Sequence, residues 1–130
     1  MKKKVLIGLI VITAIAAIAG VSLIVYLNNN LKALNEMTLE DIDLSEIPDG
    51  EYQGDYSVFP VSVKVKVTVT SHEITAIEIV EHDNGRGGAA EEITQDIIEA
   101  QSLDVDSITG ATYSSRVILK AVENALKGRE

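Results

Sequence analysis

The sequence has no cysteine and no tryptophan, and it holds a single phenylalanine and two prolines. Without cysteine the chain can form no disulfide, no iron–sulfur cluster and no thiolate metal site. Basic residues are also scarce. The net charge of −9 includes Lys2, Lys3 and Lys4, so the chain from Asn28 onward holds eight basic against twenty acidic residues, a balance of −12. That sign disfavours nucleic-acid binding, which needs lysine and arginine against phosphate. Asp104 and Asp106 have no histidine, cysteine or third acid nearby, so no metal site is expected. No general acid, base or nucleophile constellation stands out, and no catalytic residue is assigned. At 130 residues the chain is long enough for one modest domain plus an anchor.

Hydrophobic length is concentrated at the start. Residues 5–27 carry no charge over 23 positions, and at about 1.5 Å per residue a helix of that length spans roughly 34 Å, enough for a hydrocarbon core of about 30 Å. Three lysines precede this run and acids follow it, so the positive-inside rule places residues 1–4 in the cytoplasm and the remainder outside. Tyr26 falls at the outer boundary. Ala17-Ile18-Ala19 has the form of a signal-peptidase box, but the apolar run continues to Leu27, which favours an uncleaved transmembrane anchor. Residues 28–48 are acidic and poor in large apolar side chains, and read as a tether. Thr38 and Asp41 make a weak capping pattern within it, and fully extended it reaches no more than about 70–75 Å.

The globular part, 49–130, opens with Asp49-Gly50-Glu51-Tyr52-Gln53-Gly54, a turn and a short strand in which Tyr52 and Tyr56 read as ordinary strand tyrosines. Five valines then alternate with five polar residues from Val61 to Thr70, the period of a strand with one buried face. Glu73 to Val80 follows a short turn holding His72, so the two runs should pair as an antiparallel hairpin. Glu81 to Gly88 breaks the pattern with three glycines in four positions. It lacks the Gly-Lys-Ser/Thr ending of a P-loop, and reads either as a flexible connection or as a loop whose bare backbone approaches a ligand. Ala89, Ile93, Ile97 and Ala100 form the stripe of a first helix. Ile118, Ala121, Val122, Ala125 and Leu126 form that of a second. The fold expected is α+β: a small antiparallel sheet from 51–57, 61–70 and 73–81, covered by helices near 89–101 and 114–127 and preceded by one transmembrane helix. The 103–109 stretch has room for one more short strand.

Small and hydroxylated residues crowd immediately ahead of the second helix, in Asp106-Ser107-Ile108-Thr109-Gly110-Ala111-Thr112-Tyr113-Ser114-Ser115-Arg116. A helix N-terminus presents unpaired N–H groups and the positive end of the macrodipole, which stabilise an anion such as phosphate. Gly110 and Ala111 leave little side chain in the way, Thr112 presents a hydroxyl beside those donors, and Ser114 and Ser115 can cap the helix or bond a ligand. A turn ending in a serine cap, with no ligand, uses the same residues. Arg116 reads equally as a phosphate contact or as a solvated helix residue.

The stretch resembles the flavinylation motif of the FMN-binding domain family, which includes the covalent-flavin subunits of sodium-pumping NADH:quinone reductase and the Rnf complex. The family pattern of an Asp, then Ser/Thr-Gly-Ala-Thr and a further Ser/Thr is met by Asp106, Thr109-Gly110-Ala111-Thr112 and Ser114, with Thr109 replacing the common serine. The likeness runs from Asp49-Gly50 to Leu126. It implies that Thr112 carries FMN through a phosphoester, with Thr109, Gly110, Ala111, Ser114, Ser115 and Asp106 around it. Family members often carry a histidine and a glycine in the glycine-rich stretch, which adds His82 and Gly87 as contacts, with Arg86 beside them. Given the composition, any flavin pocket must be walled by aliphatics, tyrosines and backbone. The resemblance further implies a membrane-anchored electron carrier rather than an autonomous enzyme, working outside the cytoplasm and suited to extracellular electron transfer. Its implied partners are a magnesium-dependent flavin transferase that uses FAD, a membrane dehydrogenase or quinone-linked donor, and the lipid bilayer. A non-covalent FMN-binding reductase component and a flavin-free envelope interaction module are the alternatives.

Overall fold

The computed structural model describes residues 1–40, 42–83 and 91–128 and divides into two compact units, Met1–Ala33 and Leu34–Glu130. Helix α1, Lys2–Glu36, supplies the whole of the first. Its large apolar side chains point outward on every side, with Ile18 67% exposed and Val21 61%. A helical stretch that is apolar all round suits lipid rather than water. Thr13, in the middle of the apolar run, donates its hydroxyl to the carbonyls of Leu9 and Ile10 at 3.1 and 2.9 Å. That pairs the Thr13 hydroxyl within the helix. The helix is long and apolar enough to cross a membrane.

The second unit is the expected α+β fold. Strands β1 (Gly50–Val58), β2 (Val61–Thr70) and β3 (Glu73–Asp83) form an antiparallel sheet in the order β1-β2-β3. The valine alternation does what its period demands: Val61, Val63, Val65, Val67 and Val69 are all buried on one face. Helices α2 (Ile93–Ala100) and α3 (Thr112–Lys127) cover the sheet. On α2, Ile93 and Ile97 are buried as the stripe requires, while Ala100 is exposed. Ala89 lies outside the described residues. The stretch from 103 to 109 forms no strand; it is irregular chain with Leu103 buried and Val105 and Ile108 packed against the core.

The β2–β3 turn is two residues long, and both Ser71 and His72 have positive φ, 52° and 64°, as a tight type I′ hairpin requires. Neither residue favours that conformation, and side chains hold it. Asp49 Oδ1 accepts the Ser71 N–H at 2.8 Å, and His72 Nδ1 lies 3.1 and 3.2 Å from the carbonyls of Leu44 and Ile47. His72, which from its position in a turn carries no expected role, thus ties the chain before β1 to the hairpin.

Close packing of α3 on β1 rests on a glycine. A Cβ on Gly54 would lie 2.3 Å from both the Ala121 carbonyl oxygen and the Ala125 nitrogen, so only a hydrogen at this position lets the two backbones touch. Alanines at 121 and 125 complete the approach, and Asn124 Nδ2 donates to the Asp55 carbonyl at 2.9 Å beside it.

Residues 28–48, which read as a tether, are differently arranged. Helix continues to Glu36, a 3₁₀ turn forms at Leu44–Glu46, and Leu34 and Ile47 are buried. Met37, Leu39, Ile42 and Leu44 pack against the same core. Spaced apolar residues among many acids look like linker in one dimension. Here they join the core of the domain, and on α3 Val117 and Leu119 are as fully buried as the expected stripe.

Candidate functional site

The chain leaves α2 through Gln101, whose side chain pairs with both backbone groups of Ile74 on β3, at 2.7 and 2.8 Å. From there it runs to the start of α3. Ile108 to Ala111 is a tight turn closed by the Ala111 N–H to Ile108 carbonyl bond at 2.9 Å. Gly110, third in that turn, has φ of 81°, the position at which a type II turn requires glycine. A Cβ there would meet nothing within 4 Å, so the surface above Gly110 is open. Thr109 and Gly110 are exposed, Ala111 is buried at the N-cap, and Thr112 opens the helix half-exposed.

The two serines of the motif do not line this opening. Ser115 is fully buried, and its Oγ accepts the Ile108 N–H at 3.1 Å. It joins loop to helix one turn below Thr112. Ser114 is also buried. Asp106, expected beside the phosphoester, is exposed and accepts no hydrogen bond among the described residues; the 108–111 turn and Ser115 order the loop. Tyr113 donates its hydroxyl to the Phe59 carbonyl, fixing the first turn of α3 to the β1–β2 turn.

Arg116 resolves into a third role. Its Nε donates to the Leu34 carbonyl at 3.0 Å and its Nη2 to that of Met37 at 2.5 Å, so the guanidinium fastens the segment before β1 to α3. A buried carboxylate completes the fastening: Glu123 accepts the Glu40 N–H at 3.2 Å and the Lys120 ammonium at 2.8 Å. Lys127 reaches across to Glu40. The hydrogen bond and charge of Lys127 hold the Glu40 carboxyl below its ordinary value. Hydrogen bonds from Ser45 do the same for Asp43.

His82 is a strand residue rather than part of a loop. The register steps from Lys64↔Glu81 to Val65↔Ile79, leaving Val80 as a bulge. One extra residue reverses the parity of everything beyond it, so His82 pairs with Val63 on the helix-covered face, where strict alternation would have placed Glu81. Its side chain is 4% exposed and lies 3.6 Å from the Glu91 carboxylate. Neither ring nitrogen has a hydrogen-bond partner among the described residues. Arg86 and Gly87 lie outside the described residues. No group of three or more histidine and acidic side chains suited to a metal occurs among the described residues.

The geometry is therefore an exposed glycine turn, a half-exposed threonine hydroxyl at the first position of a 16-residue helix, and no side-chain cap over that helix's end. It offers a phosphate open space above Gly110, the positive helix end, and a hydroxyl beside both. Residues 60–127 match the model of the FMN-binding domain family. The chain belongs to the FMN-binding domain family. The match covers β2, β3, both packed helices and the whole Thr109–Thr112 turn. Among curated proteins, a Treponema pallidum (strain Nichols) uncharacterized protein is 33% identical over 86 residues, 64% of this chain and 24% of its own length. The NADH:acrylate oxidoreductase of Vibrio harveyi is 34% identical over 91 residues, 65% of this chain and 9% of its own. The chain thus spans a quarter or less of the curated relatives it matches. Membership and the oxidoreductase relative support a flavoprotein of electron transfer.

Proposed function

We propose that this protein is a membrane-anchored electron carrier that holds FMN by a phosphoester on Thr112, on the outer side of the membrane. The observation that carries the reading is Thr112 itself: a half-exposed hydroxyl opening α3, directly after a turn whose glycine leaves the surface clear. When bound, the flavin supplies transfer of one or two electrons. The chain's residues supply the hold. Gly110 keeps the approach open, Ala111 adds no side chain that reaches the helix N–H groups, and Ser115 keeps the loop in register with the helix. Covalent attachment suits an exterior location, because a tethered cofactor stays at high effective concentration where a dissociated one would be diluted.

A magnesium-dependent flavin transferase is the partner for loading. In that reaction the Thr112 oxygen forms a new bond to the FMN phosphorus of FAD, the bond to the AMP phosphate breaks, AMP leaves, and the hydroxyl proton is released. The protein is then a substrate of the transferase, not a catalyst. A membrane dehydrogenase or quinone-linked donor would deliver electrons, and an external acceptor would take them. The lysines before the apolar run of α1 and the acids after it support a cytoplasmic N-terminus.

Intact-protein mass spectrometry tests the reading on the full chain produced with a flavin transferase. One FMN should be present after denaturation, and Thr112→Val should abolish it. Flavin that is released completely by denaturant would establish a non-covalent carrier instead, and protein that never acquires flavin would establish a flavin-free module.

A further inference from the structure

A cleft of about 400 Å³ opens beside α3 at Arg116, lined by Leu39, Glu40, Leu103, Asp104, Val105 and Arg116. Its walls come from three places: the segment before β1, the loop that leads into the Thr109–Thr112 turn, and α3. Arg116 lies four residues beyond Thr112, one helical turn or about 6 Å along the axis, on the same helical face. An FMN arm rooted on Thr112 is longer than one turn, so the cleft is within its reach.

The lining also matches one end of that ligand to the other. Leu39, Leu103 and Val105 offer an apolar surface for a fused aromatic ring system in a chain with no tryptophan. The pyrimidine edge of an isoalloxazine alternates a carbonyl acceptor, an N–H donor and a second carbonyl. Arg116 carries five N–H donors, of which the bonds to Leu34 and Met37 engage one on Nε and one on Nη2. Asp104 is an exposed carboxylate at the same cleft, able to accept from the N–H. The remaining acid, Glu40, is neutralised by Lys127.

We propose that this cleft seats the isoalloxazine ring of the FMN on Thr112, with Leu39, Leu103 and Val105 against its faces and Arg116 and Asp104 on its pyrimidine edge. The inference rests on Thr112 as the attachment site. It makes the segment just after the membrane helix a wall of the cofactor site rather than a passive spacer.

The test uses the full chain, loaded by a flavin transferase, with Leu39→Ser and Val105→Ser opening two different walls and Asp104→Asn removing the carboxylate charge, and so weakening the acceptor, without changing shape. Three quantities are read: intact mass, visible circular dichroism of the flavin bands, and the iodide quenching constant of flavin fluorescence. All variants should carry one FMN. Leu39→Ser and Val105→Ser should each lower the visible dichroism at least two-fold and raise iodide quenching at least two-fold, and Asp104→Asn should move both in the same direction. Thr68→Ser, on the other face of the sheet, should match the unaltered chain. If the wall variants lose far-ultraviolet dichroism, Asp104→Asn decides, since its side chain is exposed. Loaded variants with unchanged dichroism and quenching overturn the cleft while leaving Thr112 as the attachment point. An unaltered chain that acquires no FMN overturns both.

Discussion

At the scale of single residues, the turn before α3 depends on two side chains with opposite requirements. Gly110 must have none, because its φ of 81° is one that an L residue reaches at a cost of about 1–2 kcal/mol. Gly110→Ala should lower stability by about that amount in chemical denaturation and slow flavin incorporation; unchanged stability would show that the turn relaxes freely. Ser115 must have its hydroxyl. Ser115→Ala leaves the Ile108 N–H without its acceptor, and a buried unpaired group costs about 1–3 kcal/mol. The signature expected is loss of stability with Thr112 still modifiable, since Ser115 faces inward. Much of this was legible: a glycine between hydroxyl residues ahead of a periodic run predicts a turn and a helix start. That the serines turn inward was not, because the sequence places Ser114 and Ser115 at the helix start without saying which side the sheet occupies. His82 was illegible for a related reason. Its inward placement depends on the Val80 bulge, and nothing in an Ile-Glu-Ile-Val-Glu-His run announces where an extra residue will be accommodated.

Among the elements, α3 is the organising one, and its contact with β1 is set by Gly54. Gly54→Ala places a methyl group 2.3 Å from two backbone atoms of the helix, so the helix must shift. The expected loss is about 3 kcal/mol, at the upper end for overpacking. It should appear as a lower thermal midpoint together with reduced flavin loading, because Thr112 rides on the displaced helix. A variant with the stability of the unaltered protein would mean that α3 and β1 are not in backbone contact. The strands were plain in the sequence because valines at a period of two suit a half-buried strand and fit no helical face. The apolar stripe of α3 was equally plain, yet it described only half of what is buried. Val117 and Leu119, outside the stripe, share one buried cluster with Leu34 and Ile47 of the segment before β1. That segment has no periodicity of its own and is recognisable as part of the domain only once Arg116 and Glu123 are seen to hold its backbone.

For the whole molecule, charge and membrane attachment are the governing terms. Glu40 sits below the ordinary glutamate value of 4.5 because Lys127 bonds and attracts it. Its folded value is depressed, so the stabilisation is fully present above the unfolded value and is lost as pH falls through the lower folded one. The difference in thermal midpoint between the unaltered chain and Glu40→Gln should therefore be constant near neutral pH and vanish in the acid range; a difference that grows on acidification would reverse the assignment. Full-length protein should remain with membranes through alkaline extraction, held by α1. A mature chain that begins within residues 17–20 would show that the apolar run is a cleaved signal. Flavin attachment at Thr112 is tested most directly by peptide mapping. Trypsin cuts after Arg86 and Arg116 and releases a fragment holding Thr109, Thr112, Ser114 and Ser115. From protein isolated in its native membrane, that fragment should carry the mass of FMN, with fragmentation assigning it to Thr112. An unmodified fragment, or FMN on any other hydroxyl of the fragment, would contradict it.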